Sequence, residues 1–283
     1  MLKPVSIFCT LILGITLIPA QTSSFDFQLF DVPNSASTEA DNINARGNIL
    51  GFFFDQSGHQ HGFFFTQGTF TQLDFPNSIS TKTVGLNNRD DIVGAFTDAS
   101  NVQHGLLREG TTFTQIDFPG AASTQALGIN DSREITGSFT DTAGHTHGFL
   151  KVGGTFTQID VPGGTNTIAF GINNRREIVG AFVDASGTQR AFLKVGDTFT
   201  QISPPGSTST FAFGLNVRTI IIGSFTDAGG KGHGYLDQGG TFTQLDFPGA
   251  ASTDGDGLNA QGTIVGDFFD AAGVEHGYIA SRR

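Results

Sequence analysis

Apolar residues come along most of this chain in short runs separated by clusters of Gly, Pro, Asn and Asp. A representative stretch reads TFTQIDF, TQALGI, EITGSF and HGFLKV between Thr112 and Val152. Each run is rich in Phe, Ile, Val and Thr and too short for a helix. No window holds a 3.6-residue apolar period over two turns. The pattern predicts an all-β protein.

The four-run unit returns every 43 residues. TFTQ begins at Thr69, Thr112, Thr155, Thr198 and Thr241, and the same interval carries Pro33 through Pro76, Pro119, Pro162 and Pro205 to Pro248. Asn44, Gly51 and Asp55 each start a series of the same kind, ending at Asn259, Gly266 and Asp270, so there are six copies without insertion or deletion. Four strands in about 40 to 45 residues is the blade unit of a β-propeller. The expected fold is therefore a six-bladed β-propeller with four antiparallel strands per repeat.

Turn chemistry orders the strands. INDSREI and LNNRDDI are tight polar turns, FTDTAGHTHGF is a short Asp/Gly loop and KVGGTF is a Gly-Gly hairpin. All three kinds join antiparallel neighbours. DFPGAAST holds Pro and is the crossing between blades, which puts the TxAxGIN strand innermost, then IVGxF, then HGFL, with FTQIDF at the outer edge. The N-terminal phrase FDFQLFDVP is then an outer strand without inner partners, and the C-terminal copy is three strands without an outer one. Pairing the two would close the ring and hide two sheet edges. An open solenoid, which would need polar caps, is the alternative.

The phrases AFGINNRREIVGAF (Ala169 to Phe182) and RAFLKVGDTFTQI (Arg190 to Ile202) resemble the bacterial extracellular HAF repeat family. That family's copies carry Ala-x-x-Ile-Asn, then Gly-x-x-Val-Gly, then His-Ala-Phe. The resemblance spans the chain beyond its first twenty residues, although His-Gly-Phe or His-Gly-Tyr mostly replaces His-Ala-Phe and Ala stands only at Ala191. It implies propeller-like units and secretion, and it brings no catalytic motif.

The first twenty residues, MLKPVSIFCTLILGITLIPA, have a basic start at Lys3, an apolar run from Val5 to Ile18 and the small Ala20. This reads as a secretory signal cleaved near Ala20, with residues 21–283 forming the propeller domain. The run is short of the roughly 20 apolar residues that a membrane span needs. The single cysteine, Cys9, lies within it, so no disulfide or thiolate chemistry is expected in the mature chain. With 26 acidic against 15 basic residues, the chain repels phosphate backbones and anionic lipid, and neither nucleic acid nor membrane is an expected partner. Phe supplies 29 of the aromatic residues, Tyr two and Trp none, which reads as core filling and not as a sugar platform.

Most recurrent polar residues have structural readings. One His per copy (His61, His104, His147, His233 and His276, with Arg190 in the fourth) is expected to pin the preceding Asp/Gly loop. The pairs His59/His61 and His145/His147 share a strand face but do not complete a metal shell. The Asp55 series is expected to cap loop N–H groups. The Asn44 series is read as turn residues at positive φ, and the Gly51 series as points where neighbouring blades approach.

A propeller's site is sought where the repeat is broken. At the first variable position of the innermost strand the copies read Glu39, Lys82, Gln125, Ile168, Phe211 and Asp254, and two residues later Asp41, Val84, Leu127, Phe170, Phe213 and Asp256. Equal parity places both on one strand face. Copies six and one adjoin at the closure, so Glu39, Asp41, Asp254 and Asp256 form an expected acidic sector, opposite an apolar one of Ile168, Phe170, Phe211 and Phe213. The expected channel-mouth site comprises Glu39, Asp41, Lys82, Phe170, Phe211, Phe213, Asp254 and Asp256. It would take Ca²⁺ on the four carboxylates, or an amphipathic ligand with a cationic end. The alternative is that these are solvated strand ends and interblade packing.

No nucleophile elbow, phosphate-cradling loop or HExxH motif appears in the sequence. The functional expectation is a secreted, monomeric, noncatalytic module for an extracellular protein or small ligand. A Ca²⁺-dependent hydrolase or lyase and a structural envelope or matrix component are the alternatives.

Overall fold

The computed structural model describes residues 25–283, and the leader read above lies outside them. Among the described residues every regular element is a strand, and no helix is long and apolar enough to cross a membrane. Five four-stranded antiparallel sheets follow the expected order from the axis outward. Blade one runs Ser37–Ile43, Ile49–Phe54, Gln60–Thr66 and Thr69–Leu73. Blades two to five repeat it, with innermost strands Ser80–Leu86, Ser123–Ile129, Thr165–Ile172 and Ser209–Leu215.

Blade six is built from both ends of the chain. Its inner strands lie at Ser252–Thr253, Gly257–Leu258, Ile264–Phe269 and Glu275–Arg282, and its outer strand is Phe25–Leu29. The outer strand pairs antiparallel with the last, from Phe25 opposite Arg282 to Leu29 opposite Tyr278. Phe27 packs edge-on against Tyr278 and Phe247, so the junction is apolar as well as hydrogen-bonded. The expected closure of head on tail is what the structure has.

No single core fills the molecule. Buried side chains gather in wedges between successive sheets, such as Leu50, Leu73, Leu86 and Ile92 between blades one and two, or Ile159, Val161, Ala169, Ile178 and Phe192 between blades three and four. The DFP phrase of one repeat sends its Phe onto the second strand of the next blade: Phe75 stacks on Phe96 at 3.6 Å, Phe118 on Phe139 at 3.7 Å, and Phe247 on Phe268 at 3.7 Å. The backbone N–H of the same residue donates to a buried Thr of that blade, as Phe75 does to Thr81 and Phe118 to Thr124. Blade five is the exception. Its Thr210 has no partner for Oγ1, because the residue that would donate is Pro204, which has no N–H.

Two local expectations need correction. The Gly51 series marks close approach within a blade and not between blades. A Cβ on Gly51 would fall 2.0 Å from the carbonyl oxygen of Glu39 and 2.8 Å from the Phe63 ring, both in its own sheet. The interblade contacts belong instead to innermost-strand glycines such as Gly128, where a Cβ would meet the Phe170 carbonyl at 2.4 Å. The Asn44 series does form turns, but the left-handed residue comes three positions later, at Gly47, Asp90, Arg133, Arg176, Thr219 and Gly262. The Asn side chain is needed for something else.

Candidate functional site in the axial cavity

Each turn asparagine does two things at once. Its Oδ1 accepts backbone N–H bonds from two and four residues on, as Asn130 does from Ser132 and Glu134. Its Nδ2 donates to the backbone carbonyl of the matching asparagine in the next blade: Asn44 to Asn87, Asn87 to Asn130, Asn130 to Asn173, Asn173 to Asn216, Asn216 to Asn259, and Asn259 back to Asn44. These buried bonds form an unbroken hoop around the axis. The hoop fixes the ends of all six innermost strands and encircles a cavity of about 300 Å³. Exposed Ala45, Asn88, Asn174 and Val217 rim the cavity at this end.

The side chains that reach the cavity are aimed by β-bulges. In blades two to five the register of the innermost strand slips around Val84, Leu127, Phe170 and Phe213. A bulge leaves one residue out of the ladder and turns its side chain. All four line the cavity. In blade one the slip spans Ala40 and Asp41. In blade six the strand is interrupted from Asp254 to Asp256, whose N–H groups still donate to Asp267 and Val265.

Of the site residues expected from sequence, Glu39, Asp41, Lys82, Phe170, Phe213, Asp254 and Asp256 all line this cavity. Phe211 does not, and neither does Ile168. Phe211 lies behind Phe213, its ring 5.7 Å away and nearly parallel, while Phe213 meets Phe170 edge-on at 5.2 Å. Parity alone assigned Phe211 to the channel, and the bulge at Phe213 separates the two positions. Two further carboxylates join the acidic sector, Asp267 on the second strand of blade six and Glu275 on its third. Both were visible in the repeat. The copies equivalent to Asp267 read Phe52, Ala95, Ser138, Ala181 and Ser224, and those equivalent to Glu275 read Gln60, Gln103, Thr146, Gln189 and Gly232.

Six carboxylates thus face one amine. Lys82 Nζ lies 3.7 Å from Glu39 Oε1 and 4.1 Å from the centre of the Phe52 ring. Burial alone would lower the lysine pKa, but the charges of Glu39, Asp41, Asp256 and Asp267 outweigh it and raise it. On the acid side, burial and then the neighbouring like charges hold Asp41, Asp256 and Asp267 well above the usual carboxylate range. Burial and the Glu39 charge push Asp254 up to about 6 against a hydrogen bond from Ser224, and Glu275 up to about 7 against one from Ser37.

The outer polar residues are structural. His61 Nδ1 lies 2.9 Å from Asp74 and its Nε2 3.6 Å from Asp55, so one ring ties the outer strand to the Asp/Gly loop. His104, His147, His233 and His276 repeat the arrangement. In the fourth copy Arg190 bonds Asp184, and Ser203 stands where the other copies have Asp. Asp55 Oδ1 accepts the N–H groups of Ser57 and His59, the expected loop cap. His59 also faces Asp55, at 3.4 Å, which makes the His59/His61 pair two neighbours of one carboxylate.

No protein-family model matches this chain, and no curated protein matches it. Solved structures do. A fungal lectin from Aleuria aurantia, described as a six-bladed β-propeller with a novel fucose recognition mode, aligns over 89% of this chain and 93% of its own at a TM-score of 0.55 and 10% identity. AofleA from Arthrobotrys oligospora aligns over 90% and 86% at a TM-score of 0.56 and 11% identity. The β-propeller domain of the Trilobed protease from Pyrococcus furiosus aligns over 88% and 96% at 0.52 and 8%. The fold is a six-bladed β-propeller. At these identities the likeness concerns the propeller's architecture alone.

Proposed function

We propose that this chain is an exported, noncatalytic binding propeller whose axial cavity receives a small ligand. The ligand's polar head would face the carboxylates of blades six and one, and its apolar part would lie on Leu127, Phe170 and Phe213. The observation that carries this reading is the division of one cavity into an acidic and an apolar sector within an otherwise regular repeat. Burying carboxylates costs stability unless something compensates them. A ring needing only to close would do better with the Thr, Ser and Ala of its other blades. Export rests on the leader-like first twenty residues.

Two head chemistries suit the acidic sector. A cationic head is favoured by the charge of six carboxylates facing one lysine. A sugar is favoured by the Lys82 donor lying among carboxylate acceptors, since sugar hydroxyls need both, and the likeness to fucose-recognising propellers supports it. Saturation-transfer NMR with a panel of free monosaccharides and alkylamines on the full chain tests the reading. Saturable binding that weakens at least about tenfold in Phe213→Ala and Asp267→Asn is expected, since each removes about 1–3 kcal/mol of contact. Absence of saturable binding across the panel, or binding indifferent to both substitutions, overturns it. Turnover of a panel member would move the case to the hydrolase or lyase alternative.

A further inference from the structure

We propose that Glu39, Asp267 and Glu275 bind one calcium ion at the seam where blade six meets blade one. One carboxylate oxygen from each lies within 4.8 Å of the others. Calcium–oxygen distances of about 2.3–2.6 Å place ligands on opposite sides of the ion about 4.6–5.2 Å apart, so oxygens within 4.8 Å of one another match the span of a shared ion. The donors are all carboxylate oxygens, with neither His nor Cys among them, which suits a hard cation and not zinc.

A second observation points to a cation independently of the trio. Asp41 and Asp256 are only 7% and 8% exposed, both line the cavity, and the Oδ2 of each accepts no hydrogen bond. A buried oxygen left in that state is compensated by a proton or by a nearby positive charge. Both residues are close enough to the trio for their charges to act on it. Of the set Glu39, Asp41, Asp254 and Asp256 suggested by sequence, this site keeps Glu39 and adds Asp267 and Glu275, because these are the three whose carboxylate oxygens converge. Lys82, 3.7 Å from Glu39, is the resident competitor for the site.

Glu39 comes from the innermost strand of blade one, Asp267 and Glu275 from the second and third strands of blade six. The ion therefore joins elements more than two hundred residues apart in sequence and locks the ring at the place where it is assembled from two ends. This site goes beyond the ligand reading and does not depend on it.

The test uses the full chain, stripped with EDTA and titrated with CaCl₂ near neutral pH by calorimetry and thermal unfolding. One saturable site and a rise in unfolding midpoint of roughly 5 °C at about 1 mM Ca²⁺ are expected. Glu275→Gln, an isosteric change at a half-buried position, should weaken binding at least tenfold, and Lys82→Met should tighten it. Terbium offers an independent readout. The chain has two tyrosines and no tryptophan, and the Tyr278 hydroxyl donates to the Asp254 carbonyl, so tyrosine-sensitised terbium emission displaced by Ca²⁺ is expected. No heat, no midpoint shift and no emission, or an affinity unchanged in Glu275→Gln, overturns the site. Capture of sugars or amines by the chelated protein is measured separately, so the two readings can fail independently.

Discussion

Among the described residues Lys82 is the only basic side chain lining the axial cavity, and it holds a position where the neighbouring copies carry Glu39 and Gln125. Lys82→Met keeps the stem over Phe52 and removes the charge. In chelator near neutral pH the variant should lose about 1–3 kcal/mol, since carboxylates deprived of their partner are left buried and uncompensated. Urea unfolding measures this, and an unchanged midpoint would show that the cluster neutralises itself by protonation alone. The same cluster makes stability depend on pH in an unusual direction. Folding raises Asp254 from 3.8 to about 6 and Glu275 from 4.5 to about 7, so the folded state holds protons more tightly than the unfolded one. Their contribution is fully present below the unfolded values and is lost as pH rises through the folded ones. The Glu39 and Lys82 charges face these two, and burial raises Asp41, Asp256 and Asp267 in the same direction. The loop carboxylates Asp55 and Asp141, lowered to about 2 by N–H bonds from His59 and His145, lose their contribution only in more acid solution. Chelated protein should therefore be less stable at pH 7.5 than at pH 5, and Glu275→Gln should flatten that slope. A midpoint that climbs steadily from pH 5 to 8 would contradict this. At this scale the sequence exposed Glu39, Asp41, Asp254 and Asp256 because each breaks a repeat position on the innermost strand. Asp267 and Glu275 break positions just as plainly, but on strands where pairing with Glu39 across a closed ring is not apparent until the ring exists.

Strand and turn positions follow from the repeat with little ambiguity, because Gly, Pro, Asn and Asp punctuate every copy at the same offset. Bulges are less legible. A bulge is a slip between two strands, and neither strand alone records it, which is why Phe211 and Phe213 look equivalent by parity and are not. The asparagine hoop shows the same limit. Its 43-residue spacing is obvious, yet the donor reaches the next copy's carbonyl, a contact that exists only once blades stand side by side. Departures from the repeat are informative in the other direction. Pro204 removes the N–H that Thr210 awaits and the ring that would stack on Phe225. Pro204→Phe should restore both. Gains from the hydrogen bond and the stack exceed the roughly 0.4–1 kcal/mol of chain entropy that Pro supplies, giving a net stabilisation of about 1 kcal/mol. A lower midpoint in chemical unfolding would mean that the crossing between blades four and five has its own geometry.

For the molecule as a whole, ring closure decides both stability and the existence of the cavity. Deleting the chain through Leu29 removes Phe25 and Phe27 from blade six and bares the edge of Glu275–Arg282. The truncated protein should lose amide protection first in blade six and associate through the open edge. Size-exclusion chromatography and hydrogen exchange report this, and a monomer with unchanged protection would refute it. The architecture was legible here because six equal copies with unmatched ends admit few arrangements. The cavity's chemistry was partly legible, since the regularity that reveals a ring conceals which of its irregularities meet.

The order of synthesis gives that junction a further meaning. Phe25 leaves the ribosome long before Arg282, and at about 5–20 residues per second the two are separated by roughly 13–51 s. Throughout that interval five sheets can mature while the opening strand waits, its phenylalanines uncovered. The native ring thus waits for the strand Glu275–Arg282 to be made, and a nascent chain stalled within the sixth copy would carry an adhesive end with nothing to receive it.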